Sequence, residues 1–547
     1  MRMMIASAFL IVSSIACAAS DIKITQGKFD RFDRSDIANK ITVDVNKAIG
    51  TVDKKFYGSH IDSFSSIPEK AFIDELKLGM LRIGGNEYDV FNWKNKFTMT
   101  KNGLTSIHGF EDIALRLQKY SVEGIFQVNM LGFQPELEGG SLVLKKTFTA
   151  DSAYELVKYL NGNLKLGIVN FSLGNEFSIW HETHSHVFPD GDGISADEYI
   201  ENYIHFALAI RKATEENTGN SNNIKIWGPE ISSSWVDWNN GNFNTDCQWS
   251  WEVKGRVDCK FGEGKFNNFI PYFLYRIKQA ETDKSINPRG YKLMDYFAFH
   301  YYPNFRTNID DINSIILNAK GVQDVAKMLE STRVFNDATF VNTVDKSVYR
   351  NVTPNILGRF KSWINTYYPN AKIALNEFAI DSDYRTTNYH PVVRPLYLAD
   401  LIGILTKENV AFLNYFVLSN AQGAKIPWSL IDGSQKTNQF MMYKLFTNNF
   451  LGSVVSVEDN MGDSVNAYAT TQGNMINLAL VNKTPNAKDI QVFVKDGNSK
   501  KLITEKVPGW SSMIIKFDKS PGLLGGKYDI YTYGADEMGV AKDPNYN

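Results

Sequence analysis

Eight short runs of β-branched and aromatic residues alternate with longer amphipathic stretches between residues 56 and 416, and few folds accept that pattern. The runs are Phe56–His60, Met80–Gly84, Gly124–Asn129, Val169–Leu173, Ile224–Trp227, Tyr296–His300, Lys372–Asn376 and Ala411–Phe416. Between them, Pro68–Leu78, Glu111–Tyr120, Ala153–Leu160, Ala196–Thr214, Phe266–Thr282, Ile356–Tyr367 and Val393–Lys407 carry apolar residues at helical spacing. Eight strands with intervening helices is the count of a (β/α)8 barrel, an α/β fold large enough to fill residues 51–440 as one unit.

Outside that stretch the period changes. Ile22–Thr25 and Ile41–Val45 are strand-like, and so are Ser453–Val457, Val465–Thr470, Met475–Val481, Ile490–Val494 and Ser512–Phe517. The last five alternate apolar and polar residues between Asn, Gly and Asp punctuation, as antiparallel strands with one buried face do. Residues 441–519 are therefore expected to form an antiparallel β-sandwich that residues 20–50 join, and the Gly- and Asp-rich segment 520–547 to be a loosely held tail.

The first 19 residues read as a secretory signal. Arg2 precedes the apolar run Ile5–Val12, too short to span a bilayer, and the small residues Ala16-Cys17-Ala18-Ala19 follow. A secreted or periplasmic protein is expected, with a buried N-terminal segment or a lipid anchor on Cys17 as the alternatives. Ser14 stands where such an anchor usually has a large apolar residue. Cleavage would leave Cys247 and Cys259, twelve positions apart in a loop rich in Asn, Gly and Trp, which could pair as a disulfide in an oxidising compartment. The 58 basic residues nearly balance the 60 acidic ones, so neither a nucleic acid nor a membrane surface is an expected partner. A monomer is expected, with no cofactor and no metal; among the eight histidines only Thr183-His184-Ser185-His186 hints at ligand spacing.

In such a barrel the chemistry belongs at the carboxyl ends of the strands. The corners there offer Asp62, then Asn86 and Glu87, Asn129, Asn175-Glu176, Glu230, His300 with Tyr302, and Asn376-Glu377. Glu176 and Glu377 each follow an Asn, at the fourth and seventh ordinals. Two carboxyl groups opposed across a cleft suit glycosidic bond cleavage, in which one donates a proton to the leaving oxygen and the other attacks the anomeric carbon. Burial and mutual repulsion would push their pKa values apart. Asn175 could hydrogen-bond the sugar 2-hydroxyl. Asp62 and Glu230 lack the Asn neighbour and are left out of the chemistry.

Leu81-Arg82-Ile83-Gly84-Gly85-Asn86, Tyr88, Asn92-Trp93, Ser172 to Trp180, Thr183-His184, Trp227-Gly228-Pro229, Leu293 to Tyr296, His300 to Pro303, Ile373 to Phe378, and Gln439-Phe440 near Tyr443 follow one another in an order that resembles glycoside hydrolase family 44. That family comprises endoglucanases and xyloglucanases, within the retaining (β/α)8 glycosidases. The resemblance spans residues 41–450 and implies Glu176 as acid/base, Glu377 as nucleophile and a polysaccharide as partner. Gly174 and Phe177 beside the acid, and Asn376 and Phe378 beside the nucleophile, depart from the family pattern, so cellulose or xyloglucan is the leading substrate. Another polysaccharide such as mannan, xylan or a glycosaminoglycan, or an inactive exported carbohydrate-binding protein, are the alternatives.

The remaining candidates are neighbours of that pair. Arg82 could hold Glu377 ionised or be a structural ion pair beneath it. His300 and Tyr302 lie at a strand end beside Glu377, where the Tyr hydroxyl could reach the nucleophile. Trp180, Trp227, Trp235, Trp238, Trp249 and Trp251 crowd one window and could stack on sugars or fill the barrel wall. Trp93 and Trp180 are the favoured cleft residues, and Asn86 the further polar contact.

Overall fold

The computed structural model describes residues 20–540, except 31, 62, 64–66, 101–102, 189–192, 233–247, 251–254, 258–259, 304, 306–321, 342–353, 381–388, 421–427, 497–498 and 520–525. Cys247 and Cys259, the signal segment and Asp62 thus lie outside the described residues. Eight parallel strands close a barrel: β1 Tyr57–Ile61, β2 Met80–Ile83, β3 Glu123–Val128, β4 Asn170–Leu173, β5 Lys225–Ile231, β6 Tyr296–Tyr301, β7 Lys372–Phe378 and β8 Phe412–Tyr415. Each coincides with one of the eight runs in the sequence.

The strands read as nearly continuous apolar runs because both their faces are covered. Leu81, Ile83, Phe126, Phe171, Phe297, Phe299, Leu375 and Leu413 face outward into the main core. Amphipathic helices cover them, among them α1 Lys70–Leu76, α2 Phe110–Tyr120, α3 Ala150–Val157, α4 Ala196–Thr218, α5 Phe269–Thr282, α6 Ile356–Tyr367 and α7 Val393–Lys407. Met80, Ile125, Trp227, Ala298, Ala374 and Phe412 face inward and plug the barrel. Trp227, with its ring 4.2 Å from Tyr296 and 4.9 Å from Phe412, fills this plug and is no cleft residue. Two positions further along five of these strands, on the same face, the inward residues turn polar: Arg82, Gln127, His300, Asn376 and Asn414, joined by His60 from β1. That tier is the floor of the barrel mouth.

The rest of the chain forms a nine-stranded sheet. Its strand order is Lys23–Lys28, Lys527–Gly534, Ser511–Asp518, Met475–Asn482, Val465–Gln472, Gly452–Asp459, Asn39–Val52, Lys488–Asp496 and Ser499–Val507. Only the pairing of Asn39–Asp44 with Ile490–Lys495 is parallel. Residues from opposite ends of the order, such as Val492 and Ile503 with Phe517 and Tyr528, share one apolar core, so the sheet folds over on itself as a sandwich. Within the expected tail 520–547, the described strand Lys527–Gly534 pairs on both sides, and its Tyr528 and Ile530 alternate inward and are buried. The alternation makes the other face, including Ala479, Val481 and Ile514, part of the barrel core. Asp400 of α7 is sealed in this contact. It takes Lys483 Nζ at 3.1 Å, Asn466 Nδ2 at 2.6 Å and the Tyr468 hydroxyl at 2.7 Å.

Candidate active site

The polar tier converges on Glu377. This residue sits on β7 and is 4% exposed. Arg82 Nη1 donates to its Oε1 at 3.1 Å, His60 Nδ1 lies 3.1 Å from the same oxygen, and His300 Nδ1 lies 2.7 Å from Oε2. Tyr302 hydrogen-bonds it as well. Burial alone would raise the Glu377 carboxyl, but the charges of His300 and Arg82 overcome it and hold the group well below the usual carboxylate range.

Glu176 stands opposite, two residues beyond the Gly174 corner that ends β4. Its backbone is left-handed at φ 43°, uncommon for a residue with a side chain, and its N–H donates to the carbonyl of Glu230 at 2.8 Å. This turn aims the carboxyl back over the floor, where His300 Nδ1 lies 3.0 Å from Oε1. Glu176 keeps some exposed surface while Glu377 is nearly closed off. Carboxyl oxygens of the two lie within 4.8 Å of each other across the His300 nitrogen.

His300 is fully buried, and its other nitrogen, Nε2, faces Glu230 Oε2 at 2.9 Å. Burial opposes its charge, yet Glu377, Glu176 and Glu230 together push its pKa well above the ordinary histidine value. His60 goes the other way: burial, helped by Arg82 and His300, lowers it to about 3, so it is neutral. Its Nδ1 lies 3.0 Å from Arg82 Nη1. Register shifts between neighbouring strands fall at Pro229/Ile231, Phe299/His300 and Leu375/Phe378. The extra residues fall on β5 and β7 and re-aim the side chains of Glu230 and Glu377 into the mouth, against His300 on the regular β6.

A second ring of contacts holds the Asn-Glu corner. Arg82 Nη2 donates to Asn175 Oδ1 at 2.8 Å, and Asn175 Nδ2 donates to Asn86 Oδ1 at 3.0 Å. Buried Asp89 accepts the Asn175 N–H at 3.0 Å, the Trp180 indole N–H at 2.9 Å and Gln127 Nε2 at 3.0 Å. His184 Nε2 lies 3.2 Å from it. The Thr183-His184 hint of a ligand is thereby accounted for as a brace on Asp89.

Glu176, Glu377, Asn175, Arg82, Asn86, His300 and Tyr302 are thus gathered into one network. Four of the expected substrate contacts change in kind. Arg82 and His300 have no exposed surface; Arg82 grips Glu377, His300 lies against both glutamates, and neither meets a sugar. Trp180 is fully buried, its ring packed against Phe177 and Tyr199, and offers no face to a ligand. Trp93 packs at a tilt on Tyr159, their rings 5.1 Å apart, with Lys94 Nζ 5.3 Å from its ring, away from the contacts of the glutamates. The side chains of Trp235, Trp238, Trp249 and Trp251 lie outside the described residues. The sequence reading passed over His60, Gln127, Asp89 and Asn414, and set Glu230 aside. Their signal was a polar residue two places after an inward apolar one, or a carboxylate just past a strand.

Glu176, His300 and Glu377 are the one trio among the described residues whose donor atoms cluster closely enough to hold a metal ion. Arg82 and the charged His300 already supply positive charge there, so the donor set fits a hydrogen-bonded carboxyl pair better than a cation site.

The model of glycoside hydrolase family 44 matches residues 127–305. Endoglucanase A of Paenibacillus lautus is 23% identical over 360 residues, covering 64% of this chain and 44% of that protein. Beta-mannanase/endoglucanase A of Caldicellulosiruptor saccharolyticus is 21% identical over 569 residues, covering 90% of this chain and 38% of that protein. The chain thus spans less than half the length of the curated relatives it matches. Among solved structures, a family 44 xyloglucanase of Paenibacillus polymyxa superposes with a TM-score of 0.64 at 18% identity, over 91% of this chain and 99% of that one. The fold is that of these glycosidases, and the likeness to glycoside hydrolase family 44 read from the residues is borne out by the match to the family itself.

Proposed function

We propose that the chain is a retaining glycoside hydrolase that cleaves β-1,4-glucans of the cellulose or xyloglucan type. The observation that carries the mechanism is the spacing of Glu176 and Glu377, whose oxygens come within 4.8 Å. Retaining pairs stand about 5–5.5 Å apart, whereas inverting pairs need roughly 6.5–9.5 Å to seat a water. Glu377, held ionised by Arg82 and His300, attacks the anomeric carbon while Glu176 gives its proton to the departing glycosidic oxygen. Glu176, now a carboxylate, takes a proton from a water that attacks the glycosyl ester and frees Glu377. Tyr302 donates to the nucleophile and helps set its angle.

Support for the substrate class comes from the endoglucanase and xyloglucanase relatives. A mannan is the second reading, favoured by the relative named beta-mannanase/endoglucanase, and a polysaccharide panel with reducing-sugar detection separates the two. Export behind residues 1–19, a Cys247–Cys259 bridge and a monomeric state belong to the same proposal. Proton NMR in the opening minutes of hydrolysis tests the mechanism. The reducing end released from a β-glucan is expected first as the β-anomer; an initial α-anomer would mean inversion and would remove Glu377 from the nucleophile's role.

A further inference from the structure

Glu230 is a third glutamate against His300, and it is completely buried. It lies on β5 with a left-handed backbone, φ 54°, a conformation uncommon for a residue with a side chain. Its Oε1 takes Asn376 Nδ2 at 2.8 Å, while Oε2 takes the same group at 2.9 Å and faces His300 Nε2 at 2.9 Å. Arg82 Nη2 is 3.7 Å away. Its carbonyl accepts the N–H of Glu176, and Asn376 is the residue before Glu377. One side chain thus reaches the surroundings of both reacting groups.

We propose that Glu230 is the positioning residue that keeps His300 doubly protonated, so that His300 Nδ1–H bridges the acid/base and the nucleophile. Ionised carboxylates only accept hydrogen bonds. A neutral imidazole has one N–H, which ionised Glu377 would place on Nδ1. With a second carboxylate, Glu230, at Nε2, both nitrogens must donate, and the ring is a fixed cation. The groups facing it are Glu176, Glu230 and Glu377, with Arg82, His60 and Tyr302 close by. The cation lowers the proton affinity of Glu377, and it gives up its charge only at alkaline pH.

The inference rests on the retaining reading, and its test separates the two. Nitrogen-15 NMR of labelled histidines in the full chain, with His300 assigned by the signal lost in His300→Gln, should show His300 charged through pH 8. Titration near the ordinary value of 6.5 would overturn the proposal whatever any variant does. In Glu230→Gln the ring should titrate lower, by about one unit or more. The pH profile of kcat/KM on an aryl β-cellobioside should then narrow from the alkaline side alone, because His300 discharges sooner but is still charged at the acid pH where Glu377 titrates. A folded Glu230→Gln enzyme that is slower at every pH with the wild-type profile would make Glu230 merely structural and refute its role. If Glu377→Gln still turned over the aryl glycoside, the nucleophile assignment would fail while the His300 titration still stood as measured.

Discussion

Arg82→Gln isolates the charge that keeps Glu377 ionised. The guanidinium donates to Glu377 Oε1 at 3.1 Å with neither group meaningfully in water. Two unit charges with centres about 4 Å apart, at an effective dielectric near 20, interact by about 4 kcal/mol. That corresponds to about three pH units in the carboxyl's pKa, and relaxation with the remaining His300 charge reduces it to about two. The sign follows from the native state. Glu377 lies below its ordinary value of 4.5 because His300 and Arg82 outweigh burial, so native activity does not fall on its account until strongly acid pH. Without Arg82, His300 is left as the main charge opposing burial, and activity is lost as pH drops through a value raised by those two units. The native carboxylate also stabilises the fold above its unfolded pKa, a contribution lost as pH falls through the folded value and diminished in the variant. The assay is kcat/KM against pH on an aryl β-cellobioside, with Tm recorded at each pH. Arg82→Lys keeps a charge but loses the forked donors that also grip Asn175, so it should move the limb less while still raising KM. A folded Arg82→Gln enzyme with the native acid limb would refute the assignment of this charge to Glu377.

Glu176→Gln should cost far more on polysaccharides than on aryl glycosides whose leaving group needs little protonation, by roughly 10²–10⁴-fold on the former. Equal losses on both, measured as kcat, would remove Glu176 from the acid role. Intact mass of the exported protein, before and after reduction and alkylation, should show a mature chain starting near Ala19 or Ser20 and one disulfide. Two thiols open to alkylation in the unreduced, unfolded protein would exclude the Cys247–Cys259 bridge, and an acyl adduct would place Cys17 at a lipid anchor.

All eight barrel strands were legible because parallel strands buried on both faces leave unbroken apolar runs, and the ordinals of Glu176 and Glu377 followed from counting. Contacts that depend on three-dimensional closure were not. Trp180 stands in a matched motif beside the acid, which made a cleft position plausible. Yet the short helix it begins turns the ring inward, where its indole N–H meets Asp89 and the Asn175 carbonyl. Glu230 lacked the Asn that marked its rivals, and nothing local reveals that β6 brings His300 against it. The inward polar tier was readable after all: Met80-x-Arg82, Ala298-x-His300 and Ala374-x-Asn376 each step from plug to floor in two residues. The final strand was missed because the flanking Gly- and Asp-rich composition outweighed the short alternation of Tyr528 and Ile530.

The parallel pairing of Asn39–Asp44 with Ile490–Lys495 joins residues more than 440 positions apart, and Lys23–Lys28 pairs with Lys527–Gly534 across a longer span. Neither ladder can form while the chain is still being made, because both partners must first exist. The earliest strands therefore wait, with their edges open, through the synthesis of the whole barrel. Such separations slow folding and leave edges available to other chains. If the chain is exported as proposed, this delay is useful: a threaded polypeptide must stay unfolded, and here the lock that joins sheet to barrel, Asp400 with Lys483, arrives only with the last eighth of the sequence.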